Sequence, residues 1–114
     1  MPNRGEVWEV DLEPVRGSET GKKRPCLIIQ NDIGNKYAPT TIIAVIKGAE
    51  HVAKDYPIDV HIKAGVGGLV KDSVIMCSQI RAVDKERLLR HFGKVSPHVM
   101  KEVNKALKIS LELD

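Results

Sequence analysis

Thr40-Thr41-Ile42-Ile43-Ala44-Val45-Ile46 is the most strand-like stretch of the chain, with Pro39 just before it and Lys47-Gly48 just after. Four of its seven residues are isoleucine or valine, whose branching at Cβ stiffens χ1 and suits a pleated surface. Upstream, Pro25-Cys26-Leu27-Ile28-Ile29 is a second continuous apolar run and predicts a central strand. Glu6-Val7-Trp8-Glu9-Val10-Asp11-Leu12 alternates apolar and polar residues, the period of a half-buried strand, and Pro14 and Gly17 end it. Between these strands, 16–24 is a polar loop with two glycines and four cations. Asn31-Asp32-Ile33-Gly34-Asn35 is turn chemistry.

Downstream, Ile58-Asp59-Val60-His61-Ile62 alternates again and predicts a fourth strand. Gly65, Gly67 and Gly68 mark a turn, and 72–80 predicts a fifth strand. Two short helices are expected after it. Asp84 can cap Lys85-Glu86-Arg87-Leu88-Leu89-Arg90, with Gly93 as a stop. Ser96-Pro97 pairs a capping hydroxyl with proline at the first helical position. Behind it Val99, Val103, Ala106-Leu107 and Ser110-Leu111 form one apolar stripe, with Lys101, Glu102, Lys105 and Lys108 facing away. The expectation is a mainly β fold with α (α+β): one domain over 1–114, a small, strongly bent antiparallel sheet or partly open barrel with a C-terminal helix packed on it. Such a sheet leaves edges to be covered, which favours a dimer.

The chain has 114 residues, 42% hydrophobic and 29% charged, the balance of a globular domain. No apolar run approaches the roughly 20 residues that span a bilayer, and the first residues lack the pattern of a signal peptide. Cys26 and Cys77 sit inside apolar runs without a CxxC, which argues against a disulfide scaffold or zinc site and for two buried thiols in a cytoplasmic protein. Only four aromatic residues are present, so rows of stacking rings are not the expected mode of nucleic-acid binding. The net charge is +3, yet from Arg81 to Lys108 eight Lys/Arg face three acids. That C-terminal third is either a solvated face or a surface for nucleic acid or an acidic peptide.

Gly17-Ser18-Glu19-Thr20-Gly21-Lys22 approximates a phosphate-binding loop and fails as one. The glycines are one residue too close, Lys23 replaces the required hydroxyl residue, and a strand rather than a helix follows. The cations Lys22, Lys23 and Arg24 remain a candidate for holding a phosphodiester, because guanidinium donors match phosphate oxygens; a solvated basic loop is the alternative. The histidines at 51, 61, 91 and 98 form no close pair in sequence, and Asp55, Asp59 and Asp72 are spread among different elements, so a two-metal nuclease site is not indicated.

Gly5-Glu6-Val7-Trp8, Asp11-Leu12, Gly17-Ser18-Glu19 and Arg24-Pro25-Cys26-Leu27-Ile28-Ile29-Gln30-Asn31-Asp32 together resemble the opening of the MazF/PemK toxins. Asp72-Ser73-Val74, Ser78-Gln79-Ile80 and Val83-Asp84-Lys85 resemble their later segment, so the resemblance covers essentially the whole chain. It implies an SH3-like barrel with a C-terminal helix, a homodimer, and the toxin half of a toxin–antitoxin pair. It further implies cleavage of single-stranded RNA without a metal or other cofactor. The 2′-hydroxyl attacks its own phosphodiester and leaves 2′,3′-cyclic phosphate and 5′-hydroxyl ends. The implied antitoxin is MazE-like and inserts a disordered acidic segment into the RNA groove. By position, Arg24 matches the catalytic arginine, Ser18 and Glu19 match residues lining the groove, and Gln79 matches a position near the scissile bond. Lys22 and Lys23 join the expected RNA contacts through their charge.

One residue departs from the pattern. Lys47 stands where these toxins usually carry the threonine or serine that is the second catalytic residue, and Thr40 and Thr41 come too early to replace it. Lys47 is then an electrostatic substitute, an inactivating change that leaves binding intact, or a sign that Lys22 or Lys23 takes over. From another class, toxins of the CcdB type share such a barrel and poison a topoisomerase by binding alone. Base specificity is expected in the segments 50–57 and 63–68.

Overall fold

The computed structural model describes residues 1–14, 16–19, 21–52 and 56–114. Six strands form one sheet: β1 (Glu6–Asp11), β2 (Lys23–Ile28), β3 (Thr40–Gly48), β4 (Asp59–Ile62), β5 (Ser73–Asp84) and β6 (Leu88–Lys94). Their order is β4-β5-β3-β2-β1-β6, and each neighbouring pair is antiparallel. Two α-helices accompany them, α1 (Asp32–Tyr37) and α2 (Pro97–Ser110). This is the expected α+β class.

The apolar runs of β2 and β3 are buried on both faces. Leu27, Ala44 and Ile46 point to one side and pack with Val7, Ile75, Cys77 and the α2 residues Val103 and Ala106. Cys26, Ile28, Ile43 and Val45 point to the other and pack with Val10, Leu12 and Val83. The second cluster contains no α2 residue, yet these side chains have at most 3% of their surface exposed. The sheet therefore curls over its own second face, with Trp8 and Leu88 closing the cluster. Each fully buried valine, leucine or isoleucine contributes about 1.5–3 kcal/mol. Strands β4 and β6 remain as edges, so the barrel is partly open.

Helix α2 starts as the sequence predicts: Ser96 Oγ accepts from Val99 N at 3.2 Å, and Pro97 follows. The helix expected over 85–90 does not form. Asp84 Oδ1 does accept from Glu86 N at 2.8 Å, but it caps only a 3₁₀ turn at Lys85–Arg87. The chain then leaves as β6, because Leu88 to Lys94 can pair with β1 from Val10↔Leu88 to Glu6↔Lys94. Conversely, the turn expected at 31–35 is the start of α1, with Asn31 Oδ1 accepting from Gly34 N at 2.8 Å. Asn35 is buried there, accepting from Thr41 Oγ1 at 2.6 Å and donating to Gln30 O at 2.9 Å.

The 3₁₀ turn Val66–Gly68 lies against β6 by backbone contact. Gly68 has φ +77°, and a Cβ there would strike the Phe92 carbonyl oxygen. A Cβ on Gly93 would come 2.7 Å from the Gly67 carbonyl carbon. Replacing Gly68 by alanine combines a left-handed backbone with a clash. The expected loss is about 1–3 kcal/mol, read as a Tm fall of roughly 5–15 °C in thermal unfolding; an unchanged Tm contradicts the packing described.

Both thiols are fully buried. Burial pushes the Cys26 thiol up to about 12, against a backbone hydrogen bond from Ile46 and the nearby Arg81 and Arg24, which work to lower it. Burial, aided by the Asp59 charge, pushes Cys77 up to about 11. Since the thiolate is the reactive form, neither cysteine should react with a disulfide reagent at pH 8 in the folded protein. Both should react in guanidinium, and rapid labelling of the native chain contradicts this.

Candidate functional site

The site is set by strand register. Arg24 lies opposite Val10 in the β1–β2 pair, and Cys26 lies opposite Val45 in the β2–β3 pair. Two residues further in the same register, Arg24 comes opposite Lys47, just past the last hydrogen-bonded rung. Alternation then puts both on the face of Cys26 and Val45. Directly opposed residues of an antiparallel pair have Cβ atoms about 4.5–5.5 Å apart. Arg24 and Lys47 are both half-buried. An anion bound on this face would be attracted by both partly desolvated cations.

A third cation joins this face. Arg81 Nη1 donates to Leu12 O at 3.1 Å, and Arg81 and Arg24 both act on the Cys26 thiol. Arg24 Nε donates to Gly21 O at 3.3 Å, which ties the guanidinium to the loop before it. On the other side of β3, Lys47 faces Val74 of β5. The β3–β5 register jumps between Ala44↔Ile80 and Val45↔Met76, so 77–79 bulge out of the ladder. Half-buried Gln79 emerges from this bulge. Bulges re-aim side chains in this way beside functional sites.

The remaining loop residues are placed differently. Ser18 and Glu19 are exposed on a tight turn in which Glu19 Oε1 accepts from Arg16 N at 2.6 Å. Thr20 lies outside the described residues. Lys22 is exposed with φ +66°; its amide donates to Glu13 Oε1 at 2.7 Å and its carbonyl accepts from Leu12 N at 2.9 Å. Lys23 is exposed and, one residue before Arg24, points to the opposite face of β2. Register thus brings together Arg24 and Lys47, and it separates Lys23 from them.

The C-terminal cations do not form one patch. Arg81 and Arg87 hold the β1–β2 loop, with Arg87 Nη1 donating to Asp11 O at 3.0 Å and to Glu13 O. Lys85 Nζ donates to Asn35 O. Lys101, Lys105 and Lys108 are exposed on α2. The sequence reading passed over Arg81 as a site neighbour, although its place two residues after Gln79 on one strand was the available signal. Among the described residues, no three His, Cys, Asp or Glu side chains are grouped to hold a metal. Asp55 and the middle of the 50–57 segment lie outside the described residues. No described helix is long and apolar enough to cross a membrane.

Comparison with known proteins gives the family and the fold. The family model described as PemK-like, MazF-like toxin of type II toxin–antitoxin system matches residues 3–111. The chain is 51% identical to Endoribonuclease MazF of Staphylococcus saprophyticus over 113 residues, covering 99% of this chain and 93% of that protein. Its fold superposes on the crystal structure of MazF from Deinococcus radiodurans with a TM-score of 0.83 at 24% identity, covering 98% of this chain and 97% of that one. It superposes on an endoribonuclease in complex with its cognate antitoxin from a mycobacterial species with a TM-score of 0.82 at 23% identity, covering 100% of this chain and 98% of that one. With a sheet order, a C-terminal helix and a family match that run nearly end to end, the chain belongs to the PemK-like, MazF-like toxins of type II toxin–antitoxin systems.

Proposed function

We propose that this chain is an endoribonuclease toxin that cleaves single-stranded RNA without a metal, with Arg24 and Lys47 at the scissile phosphodiester. The observation that carries this reading is the shared face of two half-buried cations at the ends of β2 and β3. In-line attack of the 2′-hydroxyl on the adjacent phosphorus develops negative charge on the nonbridging oxygens. Fixed donors aimed at that charge lower the barrier directly. The 2′-hydroxyl proton goes to solvent, the P–O5′ bond breaks, and the products are a 2′,3′-cyclic phosphate and a 5′-hydroxyl. The Arg24 guanidinium stays protonated throughout and so acts as a charge stabiliser and not as a base. Lys47 supplies a second positive charge and, as an ammonium, can protonate the departing 5′-oxygen.

Of the three readings of Lys47, transfer of its role to Lys23 loses support, since Lys23 points to the other face of β2. Electrostatic substitution gains support, since Lys47 shares the Arg24 face. Gln79, Ser18 and Glu19 border the RNA path in this reading. The chain acts in the cytoplasm as a homodimer. Its antitoxin is a MazE-like protein that covers the cationic face with an acidic segment, which suits the charge there.

Cleavage rates on a labelled mixed-sequence RNA test the assignment. Arg24→Ala should lower the rate by about 10²–10³-fold, the cost of one oxyanion donor. Lys47→Ala should lower it about tenfold, which is ~1.4 kcal/mol of barrier. Lys47→Thr should not exceed the parent. A faster Lys47→Thr enzyme would mean that Lys47 impairs the chemistry. Growth arrest undiminished by Arg24→Ala would instead indicate a toxin that acts by binding alone.

A further inference from the structure

A cavity of about 400 Å³ opens on the face of β2 and β3 away from Lys47. Lys23, His51, Lys71 and Arg90 line it together with Phe92, and Arg24 borders it at the end of β2. Among the described residues no aspartate or glutamate lines it. Glu50 sits just outside and holds two of the wall residues, Lys71 Nζ at 2.5 Å and His51 Nε2 at 3.4 Å. The Arg90 guanidinium lies 4.9 Å from the centre of the Phe92 ring. The 3₁₀ turn Val66–Gly68, three residues before Lys71, is seated on β6 through the close Gly67–Gly93 and Gly68–Phe92 backbone contacts, so this wall is tied to the fold.

The volume falls in the range of about 300–1,000 Å³ typical of small-ligand sites. Cations on the rim select an anion, and an apolar floor with one ring under a guanidinium selects a flat, stackable group. A phosphate joined to a base satisfies both. Arg24 touches both the cationic spot and the cavity, so a strand held at Arg24 can continue around the end of β2 into it.

We infer that this cavity is a subsite for one further nucleotide of the RNA strand, with Arg90 and Lys71 on its phosphate and Phe92 beneath its base. The inference rests on the RNA-cleaving reading above, and it adds a positioning role for β6 residues that do not touch the scissile group.

Fluorescence anisotropy with a labelled, uncleavable 2′-deoxy 12-mer of mixed sequence tests it at several salt concentrations, with circular dichroism to confirm folding. Arg90→Ala should weaken binding about 5–10-fold and reduce the slope of log K against log salt by about one, the loss of one phosphate contact. Lys71→Ala, at an exposed position, should do the same. Phe92→Leu should weaken binding about fivefold and leave the salt slope unchanged, as expected for lost stacking. Changing Lys101 and Lys105 of α2 to alanine together should stay within twofold of the parent. Arg90→Ala binding within twofold of the parent, or losing no more than the α2 variant, overturns the subsite. If Arg24→Ala still weakens binding in that case, only the subsite fails; if the parent does not bind the 12-mer, the RNA reading fails with it. Unchanged 12-mer affinity in Arg90→Ala, with a weakened hold on a labelled polyglutamate peptide, would assign the cavity to a protein segment and also overturn the proposal.

Discussion

The buried pairing of β2 with β3 is the constraint on which the site depends. Each strand is apolar on both faces, so each rung is fixed from two sides. A slip of β2 by one residue against β3 would move Cys26 and Ile28 to the helix side and Leu27 to the other. The same slip would turn Arg24 away from Lys47. Nothing local holds these two cations together. They meet because the core residues Cys26 to Ile28 of β2 and Ile43 to Ile46 of β3 leave only one register, and the charged residues stand where that core ends.

Around this pair the chain's positive charges divide by task. Arg81 and Arg87 hold carbonyl groups of the β1–β2 loop, and Lys85 holds the end of α1. Arg90 and Lys71 stand at the cavity on the other face. The α2 lysines stay in solvent, where charge is screened within about 10 Å at 0.1 M salt. A net charge of +3 conceals this division, since what matters for a phosphodiester is which cations are partly desolvated and aimed at one place.

Much of this was legible in the sequence. The five strand positions followed from apolar runs and alternation, and α2 from its cap, its proline and its stripe. The resemblance to the MazF/PemK toxins singled out Arg24, before Pro25, and Lys47, after Ile46, as candidates. What failed did so for lack of long-range information. Asp84 is a true cap, but the residues after it had two uses, and pairing with β1 outweighed a short isolated helix. Asn31 and Asn35 carried turn chemistry, and only the burial of Asn35 against Thr41 shows why a helical turn forms there. The separation of Lys23 from Arg24 needed only strand alternation, whereas the union of Arg24, Lys47 and Arg81 needed three strands in register.

The central claim is that positive charge at the ends of two paired strands drives attack by the RNA's own 2′-hydroxyl. Mapping the termini of transcripts cut by the purified chain tests it most directly. The account predicts 5′-hydroxyl and 2′,3′-cyclic phosphate ends, formed equally well in excess EDTA. Termini bearing 5′-phosphate, or cleavage abolished by the chelator, would contradict it.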